Sequence, residues 1–336
     1  MNVARSKFIV RAGAFTLPAI VRYPAGAAEF SYKLAFTYPI EGYPPPMRAA
    51  AAADKINLES GGRMQIKVFP NSQLGGATDI LGQLRLGAVE ITLTPNSDTA
   101  TIAPTIGMTA LPFIVSNHKV GVELFSGALG AYVHNTLAKV GVFQLRGSWD
   151  SDFQQVENSL RPVVVPADLR GMKLRSTPSP PEIAVLKALG ATPSPITSAE
   201  VYTAIQTHLV DGATFPVENF LQHKIYEITK YVSLTNHSWL GTSVLMNAAA
   251  WQRLPKNLQD LVARNFEAAR NLSNADMEAS DASSIDLCKQ HGMMVNAVDT
   301  QAFRKAIAEA GLYTQWKTTY PTEAWALLEK MVGKLG

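Results

Sequence analysis

The chain of 336 residues has one cysteine and lacks any uninterrupted apolar run long enough to cross a membrane as a helix. A single cysteine excludes an internal disulfide framework and any metal site that needs several thiolates. We expect Cys288 to be a small, buried, apolar residue. A membrane-spanning helix needs about 20 consecutive apolar residues. The apolar stretch Phe15 to Val21 is shorter and lies between Arg11 and Arg22, so we do not expect it to span a membrane.

Short motifs of common enzyme chemistries are also missing. The chain has no G-x-G-x-x-G, no Walker-type lysine loop, no G-x-S-x-G elbow and no H-E-x-x-H helix. Its six histidines are scattered and form no pair at helical spacing, so we expect them to be surface or hydrogen-bonding residues. Asp150 and Asp152 could act as acid and base, but GSWDSD follows a strand pattern directly and we predict a turn there. The sequence therefore indicates neither a metal nor a cofactor.

Acidic residues are absent from the first 28 positions, which contain four basic residues, a short apolar stretch and the small-residue run Ala25 to Ala28. This composition is typical of a secretory signal peptide, and we predict residues 1–28 as that peptide with cleavage near Ala28. Without them the chain has 26 basic and 27 acidic residues, a formal charge of −1. No basic surface for nucleic acid is indicated. The predicted location is outside the cytoplasm.

Glycine and proline separate alternating strand and helix patterns along the whole chain, which favours an α/β fold. The predicted strands are 32–38, 65–69, 89–93, 140–145, 172–175, 212–215, 231–235 and 243–246. The predicted helices are 44–61, 80–86, 123–137, 180–190 and 197–208, the last opened by a capping box of Thr197 and Glu200. From Lys256 onwards apolar residues recur at helical spacing with no strong breaker before Gly292, which predicts one unusually long helix. Such a helix would extend across two lobes.

Several segments together resemble a known family. These are GGRMQIKVFPNSQLGG (61–76), LRLGAVEITLT (84–94), ALPFIVSN (110–117), the long run from Arg161 to Gly212, and KIYEITKYVSLTNHSW (224–239). In this order they are similar to the DctP-type solute-binding proteins of tripartite ATP-independent periplasmic (TRAP) transporters. The similarity covers nearly the whole chain after residue 28.

The resemblance implies a two-lobed periplasmic binding protein that closes over an organic anion and releases it to a sodium-coupled membrane permease. It implies two discontinuous lobes, 29–152 with 241–280 and 153–240 with 281–336, joined by crossing strands and the long helix. It implies a periplasmic location, with no insertion into the membrane. We expect a monomer, because a closing carrier must present one mouth to its permease.

Arg175 matches the arginine that binds the ligand carboxylate in this family. A planar guanidinium offers two parallel N–H donors to a carboxylate and stays charged at ordinary pH. Two features of the sequence depart from the family pattern. Many relatives have a second arginine where this chain has Gln155, and a polar Glu-Asn pair where it has Thr214 and Phe215. These departures predict a monocarboxylate with an apolar or aromatic body.

In addition to Arg175, Phe215 and Gln155, we expect other residues to contact the ligand, because ligands of open α/β sheets lie outside the carboxyl ends of the strands. Each candidate ends or follows a predicted strand: Tyr38, Thr94, Asn96, Trp149 and Trp239. Each could instead be a packing residue of a loop. Two other functions stay open from the residues alone, a hydrolase or isomerase on a similar scaffold and a sensory ligand-binding module.

Overall fold

The computed structural model describes residues 28–125 and 127–335, so all but the last residue of the predicted signal peptide lies outside the described residues. The described strands are β1 Phe30–Ala35, β2 Met64–Phe69, β3 Ile91–Pro95, β4 Val142–Gln144, β5 Trp149–Asn158, β6 Lys173–Ser176, β7 Thr192–Pro195, β8 Gly212–Phe215, β9 Tyr231–Asn247 and β10 Met294–Ala297. The helices are α1 Pro44–Glu59, α2 Ala77–Leu86, α3 Asn96–Thr99, α4 His118–Leu124, α5 Ala128–Ala138, α6 Pro180–Ala188, α7 Val201–Gln206, α8 Val217–Gln222, α9 Ala248–Arg253, α10 Lys256–Gln290, α11 Thr300–Glu309, α12 Leu312–Thr319 and α13 Thr322–Val332.

One mixed sheet runs through the molecule in the order β2-β1-β3-β9-β5-β8-β6-β7, with β4 and β10 paired to β9. β2, β1 and β3 are parallel to one another and form the sheet of the first lobe. β8, β6 and β7 are likewise parallel and form the sheet of the second lobe. Between them β9 and β5 run antiparallel to each other, and they join the two lobes. The two-lobed α/β fold is confirmed.

The 17-residue strand β9 is shared by both lobes. Its C-terminal part pairs with β3 and its N-terminal part pairs with β10. The sequence pattern predicted two separate strands here, which was wrong, because residues 236–242 belong to the same strand, although Asn236 has a positive φ of 43°. The predicted turn at GSWDSD was also wrong. Trp149 already begins β5, and Asp152 lies in that strand with a φ of 68° beside an irregularity in the pairing with β9.

Two predicted helices also differ from the structure. The segment 123–137 is divided between α4, which ends at Leu124 with Phe125 as its C-cap, and α5, which begins at Ala128 after its N-cap Gly127. The predicted capping box lacks its hydrogen bonds from side chain to backbone, since the side chain of Thr197 does not cap the helical segment. Thr197 instead donates its hydroxyl hydrogen to the carboxylate of Glu200 at 2.7 Å, and the helical segment that follows is short.

The predicted long helix is confirmed as α10, which has 35 residues. At 1.5 Å per residue it is about 52 Å long. Its first half, from Leu258 to Met277, packs in an apolar cluster with α1 and the sheet of the first lobe. Near its end Cys288 is fully buried in a different cluster with Val210 and Val232 of the second lobe. One rigid element therefore contributes to the cores of both lobes.

The C-terminal helices connect the lobes a second time. Phe303 of α11 and Trp325 of α13 lie in one apolar cluster with Leu129 of α5 and Val185 of α6. The predicted assignment of 281–336 to the second lobe stays a prediction, since these helices share a core with residues of both predicted ranges. Within residues 28–125 and 127–335, none of the helices combines the length and the apolar character needed to cross a membrane.

Two helical glycines provide a matched test of this packing. A methyl group at Gly121 of α4 would collide with the buried indole of Trp239, whereas one at Gly82 of α2 would meet no heavy atom within 4 Å. We expect Gly121→Ala to lower the free energy of unfolding by about 2 kcal/mol through overpacking. Gly82→Ala is expected to raise it by about 0.5–1 kcal/mol through helix propensity. Urea unfolding measures the free energy of unfolding of both variants. If both substitutions change it in the same direction, the packing of α4 against β9 is contradicted.

Candidate functional site

A cavity of about 380 Å³ lies between the lobes, where strands of both lobes end. Residues that follow β1 and β3 line it from the first lobe, and residues of β6 and β8 line it from the second. Loop residues before α2 and α7 complete the wall. This is the position at which open α/β sheets bind ligands, because the loops after parallel strands meet at one edge. The cavity residues used below are Tyr38, Asp79, Asp98, Gln154, Arg175, Ile196, Ser198, Thr214, Phe215 and Leu240.

Arg175 in β6 is the only basic side chain among the described residues that line this cavity. Its side chain is 3% exposed. Nε donates to the carbonyl oxygen of Ile196 at 2.8 Å, and Nη1 donates to that of Thr214 at 3.1 Å. Nη2 lies 3.4 Å from the hydroxyl of Ser198. A guanidinium has five N–H groups, so one hydrogen on each terminal nitrogen stays free for a bidentate acceptor.

The aromatic ring of Phe215 fixes the guanidinium from one face. The Cζ atom of Arg175 lies 4.2 Å from the centre of that ring, which is itself 3% exposed. A guanidinium stacked on an aromatic face gains cation–π attraction and loses freedom to rotate. The edge of the guanidinium, rather than its face, is therefore the part available to a ligand.

The charge of Arg175 is not compensated by an ion pair with any carboxylate in the described part of the chain. Burial lowers the pKa of Arg175, while the carboxyl groups of Glu182 and Asp98 act in the opposite direction. Glu182 accepts hydrogen bonds from the hydroxyls of Thr177 and Thr214, and burial raises its pKa. A buried guanidinium without a paired anion has a strong electrostatic preference for one.

Asp98 in α3 lines the opposite wall of the cavity. Burial raises the pKa of its carboxyl group to about 7, against the opposing attraction of Arg175. Tyr38 also lines the cavity, three residues after the end of β1. It is buried and packs edge-to-face on Tyr43 with ring centres 5.2 Å apart. Burial also raises the pKa of Tyr38, so its phenol stays neutral and can donate a hydrogen bond.

Of the eight residues predicted from the sequence, the structure brings Arg175, Phe215 and Tyr38 together around the cavity. Gln155 and Trp239 do not line it, although the preceding residue of β5, Gln154, and the following residue of β9, Leu240, do. Side chains of consecutive strand residues point to opposite faces. Gln155 therefore bonds to the side chain and backbone of Asn236 instead.

The three remaining predicted residues lie behind the cavity or away from it. Asn96 accepts a hydrogen bond from Ser243 at 2.7 Å inside the sheet. Thr94 lies in β3 with its hydroxyl buried. Trp149 packs in the core of the first lobe, beside a separate cavity. Direct contact of these residues, of Gln155 and of Trp239 with a ligand is not supported by their positions.

Sequence reasoning missed Asp98, Ser198 and Leu240. Asp98 follows β3 by three residues, so the rule that ligands lie beyond strand ends could have indicated it. Ser198 lies in the loop that closes the cavity beside Arg175, and no local signal in the sequence indicates that approach. Leu240 is buried on a strand whose central residues are all buried, so no alternation of apolar and polar residues identifies its face.

The aspartates considered as a catalytic pair lie apart from this cavity. Asp150 is buried, 2.6 Å from Nδ1 of His118, and it accepts a hydrogen bond from Nε1 of Trp239 at 2.9 Å. Its backbone N–H donates to Asn274 of α10. These contacts connect α4, β5, β9 and α10 at the place where the strands cross between lobes. In the described ranges no three His, Cys, Asp or Glu side chains gather closely enough to hold a metal ion.

The sequence profile of the bacterial extracellular solute-binding proteins, family 7, matches residues 44–316. The chain belongs to this family. Its members are the solute-binding proteins of TRAP transporters; the family is periplasmic and its proteins are not enzymes. The predicted family membership and the absence of an enzymatic role are thereby confirmed.

Individual proteins are similar over most of this family 7 chain. The y4mM protein of Sinorhizobium fredii is 33% identical over 270 residues, which are 80% of this chain but only 49% of that protein, so this chain spans about half its length. The 2,3-diketo-L-gulonate-binding periplasmic protein YiaO of Escherichia coli is 28% identical over 76% of this chain and 77% of its own. The TRAP solute-binding protein of a Sulfitobacter species, solved with bound β-D-galacturonate, superposes with a TM-score of 0.85 at 25% identity, covering 90% of this chain and 99% of that one.

The raised pKa of Asp98 makes stability depend on pH in a defined direction. Between the unfolded value of about 4 and the folded value of about 7, the folded protein keeps a proton that the unfolded chain has lost. Stability attributable to this group therefore falls as the pH rises through that window. We expect Asp98→Asn to raise the melting temperature more at pH 8 than at pH 5. The measurement is the melting temperature as a function of pH for the wild type, Asp98→Asn and the surface control Asp54→Asn. If the difference between Asp98→Asn and the wild type is the same at every pH, Asp98 does not titrate in this window.

Proposed function

We propose that the protein binds an organic acid anion in the cleft between its lobes, through a bidentate hydrogen bond from Arg175 to the ligand carboxylate. The observation that carries the proposal is the buried guanidinium, which is fixed on Phe215 and has one free hydrogen on each terminal nitrogen. The protein already provides the rigid positioning and the dehydration that such a contact requires. A carboxylate supplies the missing charge and two acceptors in the matching geometry.

We further propose that the ligand carries one carboxylate. Arg175 is the only basic group lining the described cavity, and the other ionisable side chains of its wall include Asp79 and Asp98. A second carboxylate on the ligand would be repelled by these groups without a cation to balance it. The apolar face of the ligand body would pack against Leu240, Ile196 and the buried edge of Phe215.

Capture is proposed to involve closure of the lobes. Groups from both lobes line the cavity, so a ligand that contacts both favours the closed arrangement. The two irregularities in the pairing of β5 with β9, on either side of Phe153, provide places where the crossing strands can bend. α10 would stay intact and act as a common support while the strands adjust.

Delivery is proposed to follow the pattern of the family. After cleavage of the signal peptide near Ala28, the chain would act in the periplasm as a monomer and release its ligand to a sodium-coupled TRAP permease. Relatives of this chain are a diketo-gulonate-binding protein and a protein solved with a bound uronate. Both ligands named for these relatives are carboxylates, which supports an organic acid as the cargo here.

Replacement of Arg175 tests the proposed contact. A thermal-shift screen against a library of organic acids is expected to identify an acid that stabilises the protein. For that acid we expect Arg175→Ala to weaken binding about 100-fold, since about 3 kcal/mol is lost with a charged bidentate hydrogen bond. Arg175→Lys keeps the charge but not the planar donor pair and should lose about tenfold. Isothermal titration calorimetry measures both variants.

Arg304→Ala, on an exposed face of α11, is the matched control and should bind like the wild type. If no carboxylate stabilises the wild-type protein, or if Arg175→Ala and Arg175→Lys bind the acid as tightly as the control does, the proposed contact is refuted. Circular dichroism of each variant verifies that the loss of binding does not come from unfolding.

A further inference from the structure

Asp98 differs from the other acidic residues around the cavity because the fold does not use its side chain. Asp79 accepts a hydrogen bond from the backbone N–H of Gly76 at 3.0 Å, which holds the start of α2. Glu182 accepts from two threonine hydroxyls behind Arg175. The carboxylate of Asp98 accepts a hydrogen bond from no group in the described part of the chain. Its backbone carbonyl oxygen accepts from the backbone N–H of Thr101 at 3.0 Å and from the hydroxyl of Thr101 at 2.7 Å.

The position of Asp98 leaves its carboxyl group open to a partner from inside the cavity. Its side chain is mostly buried and faces the cleft, so the carboxyl group has lost much of its hydration without gaining a protein donor. A polar group in this situation is costly to leave unpaired. A ligand that donates a hydrogen bond to the carboxyl group would offset the lost hydration. A ligand with an apolar group at this place would exclude water and leave the carboxyl group without a donor.

A hydroxyl fits this place better than an ammonium group. Since burial raises the pKa of Asp98 to about 7, the carboxyl group is present in both protonation states near neutral pH. A hydroxyl can donate to the ionised form and accept from the neutral form. An ammonium group can only donate and would have to be buried with its charge. Other hydroxyl-bearing side chains, Thr37 and Thr78, line the same wall and suit a hydroxylated ligand.

We propose that Asp98 is a specificity-determining residue that binds a hydroxyl group on the ligand whose carboxylate is held by Arg175, so that the cargo belongs to the hydroxy monocarboxylates. This inference rests on the proposed function and narrows the class of ligand. Asp98 belongs to the first lobe and Arg175 to the second. A hydroxy acid that contacts both therefore connects the lobes, whereas an acid without the hydroxyl contacts the charged groups of the second lobe alone.

Matched acids test this inference directly. The probes are four pairs that differ in hydroxyl groups: lactate and propionate, 3-hydroxybutyrate and butyrate, mandelate and phenylacetate, and gluconate and hexanoate. Calorimetry is performed with the wild type, Asp98→Ala, Asp98→Asn and the surface control Asp54→Ala. We expect the wild type and the control to prefer the hydroxy acid of at least one pair by tenfold or more. Asp98→Ala should reduce that preference to threefold or less.

Asp98→Asn keeps an acceptor oxygen of similar position and should restore part of the preference, which distinguishes loss of the contact from loss of structure. Equal affinity of the wild type for both members of every pair that binds, or an unchanged preference in Asp98→Ala, would overturn the role of Asp98 and leave the carboxylate contact of Arg175 standing. If none of the eight acids binds the wild type, the assignment of the cargo to the hydroxy monocarboxylates is overturned, whereas the carboxylate contact of Arg175 is judged by the wider library of acids.

Discussion

A buried guanidinium without a paired carboxylate is the constraint on which the cleft depends. Arg175 is fixed by two carbonyl oxygens and an aromatic ring, so the protein has bound the side chain in place without neutralising it. Removing such a charge from water has a large desolvation free energy, and packing in the cores of the two lobes must offset that free energy. In the proposed function, this site selects a ligand by its charge and by the planar geometry of its carboxylate.

The architecture suits the proposed closure of the two lobes over that site. β5 and β9 cross between the lobes and carry the pairing irregularities, while α10 contributes one half to each core. The cluster of His118, Asp150 and Trp239 fastens α4 to the crossing strands at the same level. For the proposed closure, bending at these irregularities beside intact helices suits a hinge better than a flexible linker would, because the cavity walls keep their shape.

The long helix, the α/β class and the position of Arg175 could be predicted from the sequence, since each depends on local periodicity or on a motif of adjacent residues. Gln155 and Trp239 were each placed one residue away from the cavity-lining positions, Gln154 and Leu240. Every residue of β5 is buried, so the sequence of that strand contains no alternation that distinguishes the ligand face from the core face. The sequence could not predict that the carboxylate of Asp98 has no hydrogen-bond donor in the described part of the protein, because only tertiary packing decides which aspartates receive donors.

The most direct test of the central claim is a crystal structure of the wild-type protein with an organic acid that stabilises it. Bidentate binding predicts one carboxylate with its two oxygens about 2.7–3.1 Å from Nη1 and Nη2 of Arg175, in a cleft lined by both lobes. An acid bound with its carboxylate elsewhere, with the guanidinium contacting only Ile196, Thr214, Ser198 and Phe215, would contradict it.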